Sequence, residues 1–273
     1  MKNILVPIDF SETSSYALQA AATIAKQQDA SITVIHMLGL SEAVLDKDEI
    51  QEYEEAKYYM ALAKKRFKAF LDKPYLKHIK IDKIVQNYKI FSELNSIARE
   101  QHTDLIVMGS HGTSGFNELF LGSNTEKVVR TSDIPVLIIK SPDSNFKIKK
   151  ILFACSFDDD SALAFKNVKA FAEKFSAKIK LVYINTPHDF LSMDEIQERI
   201  SKFMYKAMEP KQIVAIYNDY SVEHGLLNYS KKEKFDILAI ATHGRKGLSH
   251  FFMGSIGEDL ANHADLPVLT VKL

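Results

Sequence analysis

The chain has 273 residues, and its 35 Lys and Arg residues balance 35 Asp and Glu residues, so the formal net charge at pH 7 is zero. This balance argues against a protein whose main task is to coat nucleic acid or an acidic membrane surface. A single cysteine excludes an internal disulfide framework and any zinc site built from several cysteines.

The first half of the chain alternates short apolar runs with amphipathic segments, the pattern of strands that alternate with helices. In chain order, the pattern predicts a strand at Asn3–Ile8, a helix after Ser11, a strand at Ser31–Met37, a helix over 46–71, a strand at Ile79–Val85, a helix over 91–101, a strand at Leu105–Met108, a helix over 123–130 and a strand at Val136–Ile139.

The second half repeats this order. Its predicted elements are Ile151–Ala154, Ser161–Phe175, Ile179–Ile184, Ile196–Met208, Ile213–Tyr217, Val222–Lys231, Ile237–Ile240, Ser255–His263 and Val268–Val271. Strands that alternate with helices favour parallel sheets with right-handed crossovers. We therefore expect an α/β protein with two tandem Rossmann-like, doubly wound domains, each a five-stranded parallel sheet with helices on both faces.

An internal repeat supports two domains. Asp104–Lys140 and Asp236–Lys272 align without a gap at an offset of 132 residues. Identical pairs include Asp104/Asp236, His111/His243, Gly112/Gly244, Gly122/Gly254 and Ser123/Ser255. The polar segment 141–145 contains a proline and is typical of a linker. We therefore predict one domain at 1–141 and a second at 147–273.

A glycine-rich loop follows the fourth predicted strand, with the spacing Gly109-x2-Gly112-x9-Gly122-Ser123. Glycines allow a ligand to approach the main chain closely, and backbone N–H groups at a helix start attract phosphate. Ser123 is a candidate helix N-cap and phosphate donor. The spacing is neither that of a P-loop nor the Gly-x-Gly-x-x-Gly of dinucleotide binding, so ordinary turn glycines remain the alternative.

The sequence resembles the universal stress protein family. The resemblance rests on the Pro-Ile-Asp end of the first strand, the segment from Asp104 to Gly112, Gly122-Ser123 and the segment 134–139, and it covers nearly the whole chain. The glycine spacing resembles that of the family branch that binds ATP. The resemblance implies adenine near the ends of the first two strands and ribose and phosphates at the glycine loop. The implied ligand is ATP, or AMP or ADP, with or without Mg²⁺.

The resemblance also assigns binding residues by position. Pro7 and Asp9 would contact the adenosine end, and Met37 would form a wall for the base. Ribose and phosphates would be held by Gly109, Gly112, Gly122, Ser123 and Asn124. A carboxylate at a strand end can accept from an amino or hydroxyl group, although Asp9 could instead be a turn or helix-start residue.

The second half departs from this pattern. Ala154 and Ser156 stand at the positions of Pro7 and Asp9, and Ala241 replaces Gly109, where we expect it to be strained in a glycine-type conformation. The later acidic residues 158–160 are possible substitutes for the lost carboxylate. The retained residues of this degenerate second site are Gly244, Gly254 and Ser255. Arg245 and Lys246 would favour an anion there, or are an exposed basic loop.

Three other residues could carry chemistry. His111 and His243 occupy matching loop positions, and a loop histidine bonded to the backbone is favoured over a general base or metal ligand. Cys155 has no cysteine partner, so a small buried residue is favoured over a thiol nucleophile. We therefore assign no catalytic residue and no metal site.

Three functions remain open at this point. The favoured one is a nucleotide-dependent sensor or regulator in the stress response, without efficient turnover. The alternatives are a weak Mg²⁺-dependent ATPase or phosphotransferase, and an adaptor that binds a non-nucleotide metabolite in domain 2. The resemblance further implies that the final strands pair, which would make the chain an intramolecular pseudo-dimer, with a homodimer also open. No apolar run approaches the roughly 18 residues of a membrane span and no targeting leader is recognisable, so we expect a cytoplasmic protein without membrane insertion or nucleic-acid partner.

Overall fold

The computed structural model describes residues 1–37, 49–86, 93–110, 122–155, 157–209, 212–242, 260 and 263–272. It consists of two compact units, the first built mainly from the chain before Asn145 and the second mainly from Asn145 onward. Their boundary falls inside the polar segment 141–145. Among the described helices, none combines the length and the apolar character that crossing a membrane would need.

The first unit is a parallel α/β sheet with the strand order β3-β2-β1-β4-β5. Its elements are β1 (Asn3–Ile8), α1 (Glu12–Gln28), β2 (Ser31–Met37), α2 (Glu49–Leu71), a short 3₁₀-helix (Pro74–Leu76), β3 (Ile81–Gln86), α3 (Glu93–Glu100), β4 (Leu105–Gly109), α4 (Ser123–Thr131) and β5 (Val136–Ile139).

The second unit has the equivalent strand order, β10-β9-β6-β7-β8, and its pairings are again parallel. Its elements are β6 (Lys150–Ala154), α5 (Asp159–Lys174), β7 (Lys178–Asn185), α6 (Met193–Ala207), β8 (Val214–Asn218), α7 (Val222–Glu233), β9 (Ile237–Thr242) and β10 (Val268–Lys272). The predicted α/β class and its tandem layout are confirmed.

In each unit, the order in which the chain adds strands to the sheet reverses at the first strand of that unit. From β1 the chain first builds outward to β2 and β3 and then returns to place β4 on the other side of β1. With right-handed crossovers, this reversal puts helices on both faces and opens a crevice beyond the carboxyl ends of β1 and β4. The matching point in the second unit lies between β6 and β9.

The central strands form the core of each unit. All five residues of β4 and all six of β9 are buried, so these strands are covered on both faces, as their continuous apolar runs predict. The outer strand β3 has no fully buried residue. The apolar central strands therefore supply a rigid base, and the polar residues that follow them are held at its edge.

The identical pair Asp104 and Asp236 holds the starts of the central strands through backbone hydrogen bonds, which we call the aspartate clamps. The Asp104 carboxylate accepts hydrogen bonds from the backbone N–H groups of Lys2 (2.5 Å) and Asn3 (3.2 Å), where β1 begins. Asp236 receives the same two bonds, 2.9 Å each, where β6 begins. Both aspartates thus tie the start of a central strand to the strand beside it.

Several predicted boundaries differ from the observed ones. β3 begins at Ile81 rather than Ile79, because the 3₁₀-helix and a left-handed His78 (φ 68°) turn the chain first. β9 continues two residues beyond Ile240. Residues 260 and 263 of the helix predicted over 255–263 are helical, and the rest of that segment lies outside the described residues. The first residues of the helices predicted to begin at 46 and 91 also lie outside them.

Candidate functional site

Asp9 follows the last residue of β1 and is fixed in orientation. Its Oδ1 accepts a hydrogen bond from the Ser14 hydroxyl (2.6 Å) and another from the backbone N–H of Ser11 (3.0 Å). Its own backbone N–H donates to Ser14 Oγ (3.2 Å). The carboxylate therefore has the role of a turn residue that joins β1 to α1, and it lies at the carboxyl edge of the sheet.

The next residue, Phe10, adopts a left-handed backbone with φ 66°. This conformation costs a bulky side chain roughly 1–2 kcal/mol. Its ring packs against His36, Phe67 and Phe70, with ring centroids 4.4, 5.4 and 5.5 Å away, and the Arg66 guanidinium lies 5.7 Å from its centroid. These contacts offset the strain and hold the turn that carries Asp9.

His36 connects this aromatic cluster to the strand ends. Its Nδ1 lies 2.9 Å from the carbonyl oxygen of Ile8, so Nδ1 carries the proton and donates. Burial lowers the pKa of His36 below its usual value, which outweighs the opposing effect of that hydrogen bond. A neutral ring therefore stands beside the half-buried Met37, the predicted wall residue at the end of β2. The sequence patterns alone did not single out Phe10 or His36.

Gly109 ends β4 and contacts two helix starts. Its carbonyl oxygen accepts a hydrogen bond from Thr125 Oγ1 in α4 (2.9 Å). A Cβ at Gly109 would lie 2.8 Å from the backbone carbonyl carbon of Thr13 in α1. Its backbone is that of a strand without positive φ, so the expectation that Ala241 is strained in a glycine-type conformation was wrong: the glycine supplies space rather than a special dihedral.

α4 begins at Ser123 as predicted, but its N-cap is one residue earlier than the prediction. Gly122, rather than Ser123, has the N-cap role, because its carbonyl accepts the Glu126 N–H (3.0 Å) and its own N–H donates to the Ser110 carbonyl (2.7 Å). Ser123 and Asn124 are the exposed first residues of the helix. Backbone N–H groups in a first helical turn have no acceptor within the helix and attract anions.

These parts of the first unit meet at one edge. β1 and β4 flank the reversal of strand order, and Gly109 contacts both α1 and α4. Pro7 lies half-buried in β1, opposite Ile35 of β2. Gly112 and His111 lie outside the described residues. Asp9, which precedes α1, and the start of α4 thus follow the carboxyl ends of two neighbouring strands, β1 and β4.

The second unit keeps the turn and changes its polar groups. Phe157 has φ 58°, at the position of Phe10, and packs on Tyr183 and Phe203 at centroid distances of 5.6 and 5.1 Å. Asp158 accepts a hydrogen bond from the Ser161 N–H (2.8 Å) and caps α5. Because Asp158 occupies the capping position of Ser11 in the first unit, it does not replace the Asp9 carboxylate.

The structure does not describe most of the other residues predicted to matter in the second unit, but it does describe Cys155. The residues Ser156, His243, Gly244, Arg245, Lys246, Gly254 and Ser255 lie outside the described part of the chain. Burial raises the pKa of the Cys155 thiol, which keeps it protonated at neutral pH. Within the described ranges, no group of three or more His, Cys, Asp or Glu side chains could hold a metal ion.

Comparison with known proteins identifies the family. Residues 1–140 and 147–272 each match the model of the universal stress protein family. The chain is 29% identical to universal stress protein MJ0577 of Methanocaldococcus jannaschii over 52% of this chain and 97% of that protein. It is 23% identical to universal stress protein Slr1230 of Synechocystis over the full length of both. The crystal structure of a universal stress protein from Archaeoglobus fulgidus superposes with a TM-score of 0.66 and 20% identity, covering 99% of this chain and 96% of that one. The chain therefore belongs to the universal stress protein family and carries two family domains in tandem.

Proposed function

We propose that the first unit binds ATP, or ADP or AMP, and that the protein acts as a nucleotide-dependent regulator in the stress response. The observation that carries this proposal is the fixed Asp9 carboxylate beyond the end of β1, next to the strand β4 that leads toward the start of α4. A carboxylate accepts hydrogen bonds from the hydroxyl and amino groups of a nucleoside, and a helix start binds phosphate. The glycine spacing Gly109-x2-Gly112-x9-Gly122-Ser123 adds support from the sequence.

In this proposal the two ends of the nucleotide contact different parts of the first unit. The adenosine end lies against Pro7, Asp9 and Met37, beyond the ends of β1 and β2. The phosphates, with or without Mg²⁺, lie against the backbone of the glycine loop and the exposed Ser123 and Asn124. The second unit has serine at the position of Asp9, so we expect one nucleotide per chain, in the first unit.

Bound nucleotide would act by stabilising one state of the protein. A ligand shifts a conformational equilibrium only by its difference in affinity for the two states. The proposal therefore requires that ATP and ADP, or bound and empty protein, differ in a measurable property such as hydrogen exchange of α1 and α4.

Isothermal titration of ATP into the purified protein tests the proposal. We expect one site per chain, and at least about tenfold weaker binding for Asp9→Asn, because a hydrogen bond to a charged group contributes about 1.5–3 kcal/mol. Asp158→Asn is the matched control, since it also removes a carboxylate at a helix start but in the second unit. Gly122→Val places a side chain at the start of α4 and should weaken binding too.

Two outcomes would reject the proposal. One is the absence of ATP binding to the wild-type protein, and the other is equal affinity of wild type, Asp9→Asn and Gly122→Val. Release of phosphate from Mg-ATP that wild type performs and Gly122→Val does not would instead favour the ATPase alternative.

A further inference from the structure

A cavity in the second unit lies at the carboxyl ends of β6 and β7. Its volume is about 530 Å³, within the usual range for sites that bind small organic molecules. It is lined by the end of β6, the end of β7, the loop 186–191, α6 and the start of α7. The cavity is formed by described residues of the second unit only, so it is separate from the nucleotide site proposed above.

The walls of the cavity expose polar groups and apolar side chains in about equal measure. The apolar side chains provide the surface on which a ligand body could pack. They include Val182, Ile184, Leu191, Val222 and Leu226. Phe190 stands at the rim with 70% of its surface exposed, so contact with a ligand would remove apolar surface from water. The close approach of α7 depends on a glycine, because a Cβ at Gly225 would lie 2.6 Å from Ile184 Cγ2.

The loop that forms the rim is held in place by side chains of the sheet edge. The buried Asn185 donates from Nδ2 to the Leu191 carbonyl (3.3 Å) and accepts at Oδ1 from the Leu191 N–H (3.1 Å). The Thr186 hydroxyl accepts from the Asp189 N–H (3.3 Å). The rim loop is thus held by hydrogen bonds within the protein, so binding need not order this loop.

Arg199 brings a positive charge to the cavity from an unusual position. It lies three residues after Ile196 and four before Phe203, both buried, and is itself exposed, so it stands where the buried side of α6 opens onto the cavity. Phe203 contacts Phe157 as Phe67 contacts Phe10, and counting back four residues from Phe67 gives the buried Ala63. The second unit therefore carries arginine where the first carries a buried alanine.

The surroundings of Arg199 leave its guanidinium available. Among the described residues, none is in ion-pair contact with it. Its charge reaches the cavity, because it opposes the rise that burial causes in the pKa of Cys155. The lining also contains the ionisable side chains of the buried Tyr183 and of His188 and Asp189, the last two exposed in the rim loop.

We propose that this cavity binds a small organic carboxylate with an apolar body, such as an aromatic or branched aliphatic acid, whose carboxylate pairs with Arg199. One guanidinium fits one planar carboxylate through two parallel hydrogen bonds, and the apolar side chains among the lining residues fit the body of the acid. A nucleotide triphosphate would need more donors than one arginine, and the carboxylate and glycine of the first unit are here Ser156 and Ala241.

Calorimetric titration with naphthoate tests the charge, with uncharged naphthamide as the matched ligand. We expect wild type to bind naphthoate more tightly than naphthamide. Arg199→Met keeps an apolar stem, so it should weaken naphthoate binding at least about tenfold and leave naphthamide unaffected. Lys202→Met is the control, because Lys202 lies on the same helix but pairs with Glu198 (2.6 Å).

The single cysteine of the chain reports where the probe binds, because Cys155 lines the cavity. Naphthoate should slow the reaction of Cys155 with a small thiol reagent in wild type, at concentrations that follow the calorimetric affinity. Asp9→Asn, which is expected to bind ATP more weakly, should keep both naphthoate binding and this protection, so the two proposals fail separately. The proposal is overturned if wild type does not bind naphthoate at millimolar concentration, if Arg199→Met binds it equally well, or if bound naphthoate leaves Cys155 unprotected.

Discussion

Adding one methyl group at Gly109 should destabilise the first unit. The Cβ of Gly109→Ala would lie 2.8, 2.9 and 2.9 Å from the backbone carbonyl carbon, the Cβ and the carbonyl oxygen of Thr13. Nonbonded carbon atoms prefer a separation of about 3.5–4.0 Å, so α1 must move away from β4 by roughly 0.7 Å or more. Because two of the three atoms belong to the backbone, no rotamer change relieves the contact. Overpacking of this kind costs about 1–3 kcal/mol.

Gly225→Ala in the second unit is the matched control. Its Cβ would also be too close to other atoms, but the nearest is the Ile184 side chain, at 2.6 Å from Cγ2, which can change its position. Alanine in a helix is favoured over glycine by about 1 kcal/mol, which offsets part of the repulsion. We therefore expect Gly109→Ala to lower the free energy of unfolding by more than Gly225→Ala does.

Urea unfolding followed by circular dichroism gives the two free energies, and hydrogen exchange measured by mass spectrometry localises the change. Exchange should accelerate in α1 for Gly109→Ala and remain unchanged there for Gly225→Ala. ATP binding should weaken in Gly109→Ala, since the turn that holds Asp9 leads into α1. A Gly109→Ala protein within about 0.5 kcal/mol of wild type, a change typical of neutral surface substitutions, would refute the packing argument.

Three further substitutions test other parts of the fold. Asp236→Ala removes the acceptor of two backbone N–H groups and should cost about 1–2 kcal/mol in urea unfolding, whereas Asp265→Ala, at an exposed ion pair, should change stability by less than about 0.5 kcal/mol; equal effects would contradict the clamp. Because the pKa of His36 is lowered in the folded state, the unfolded chain binds its proton first on acidification. Stability should therefore fall as the pH drops below about 6.5, the ordinary pKa of histidine, and should fall less in His36→Gln; identical pH dependence of the urea midpoint would argue against this. Ser192→Ala breaks the capping box of α6 and should lower stability by about 1 kcal/mol, with faster hydrogen exchange confined to the first turn of that helix.

The repeating order of strands and helices could be predicted from the sequence because the central strands are buried on both faces. Runs such as Leu105–Met108 and Ile237–Ile240 contain no polar residue, and only a covered parallel sheet makes such a run favourable. Boundaries were less accurate. The observed β3 begins two residues after the predicted start, because the 3₁₀-helix at Pro74–Leu76 and the left-handed His78 turn the chain first.

The candidate sites depended more on tertiary structure. Asp9 could be singled out as a strand-end carboxylate, but its bonds to Ser11 and Ser14 follow from the turn that Phe10 makes. The reason for a glycine at 109 is the closeness of α1, which no local pattern reveals. The sequence did not single out Arg199 for the same reason, since its position at the cavity depends on how α6 packs on the sheet.

The aspartate clamps at Asp104 and Asp236 imply a division of labour between the two ends of each sheet. Where the central strands begin, an aspartate accepts two backbone hydrogen bonds in each half of the chain. Near the ends of those strands the halves differ. The first half has Asp9, Gly109 and Ala63, and the second has Ser156, Ala241 and Arg199 at the matching positions. In a duplicated domain whose strand starts keep the same hydrogen bonds, residues at the strand ends can therefore change, and with them the ligand, while the fold is retained.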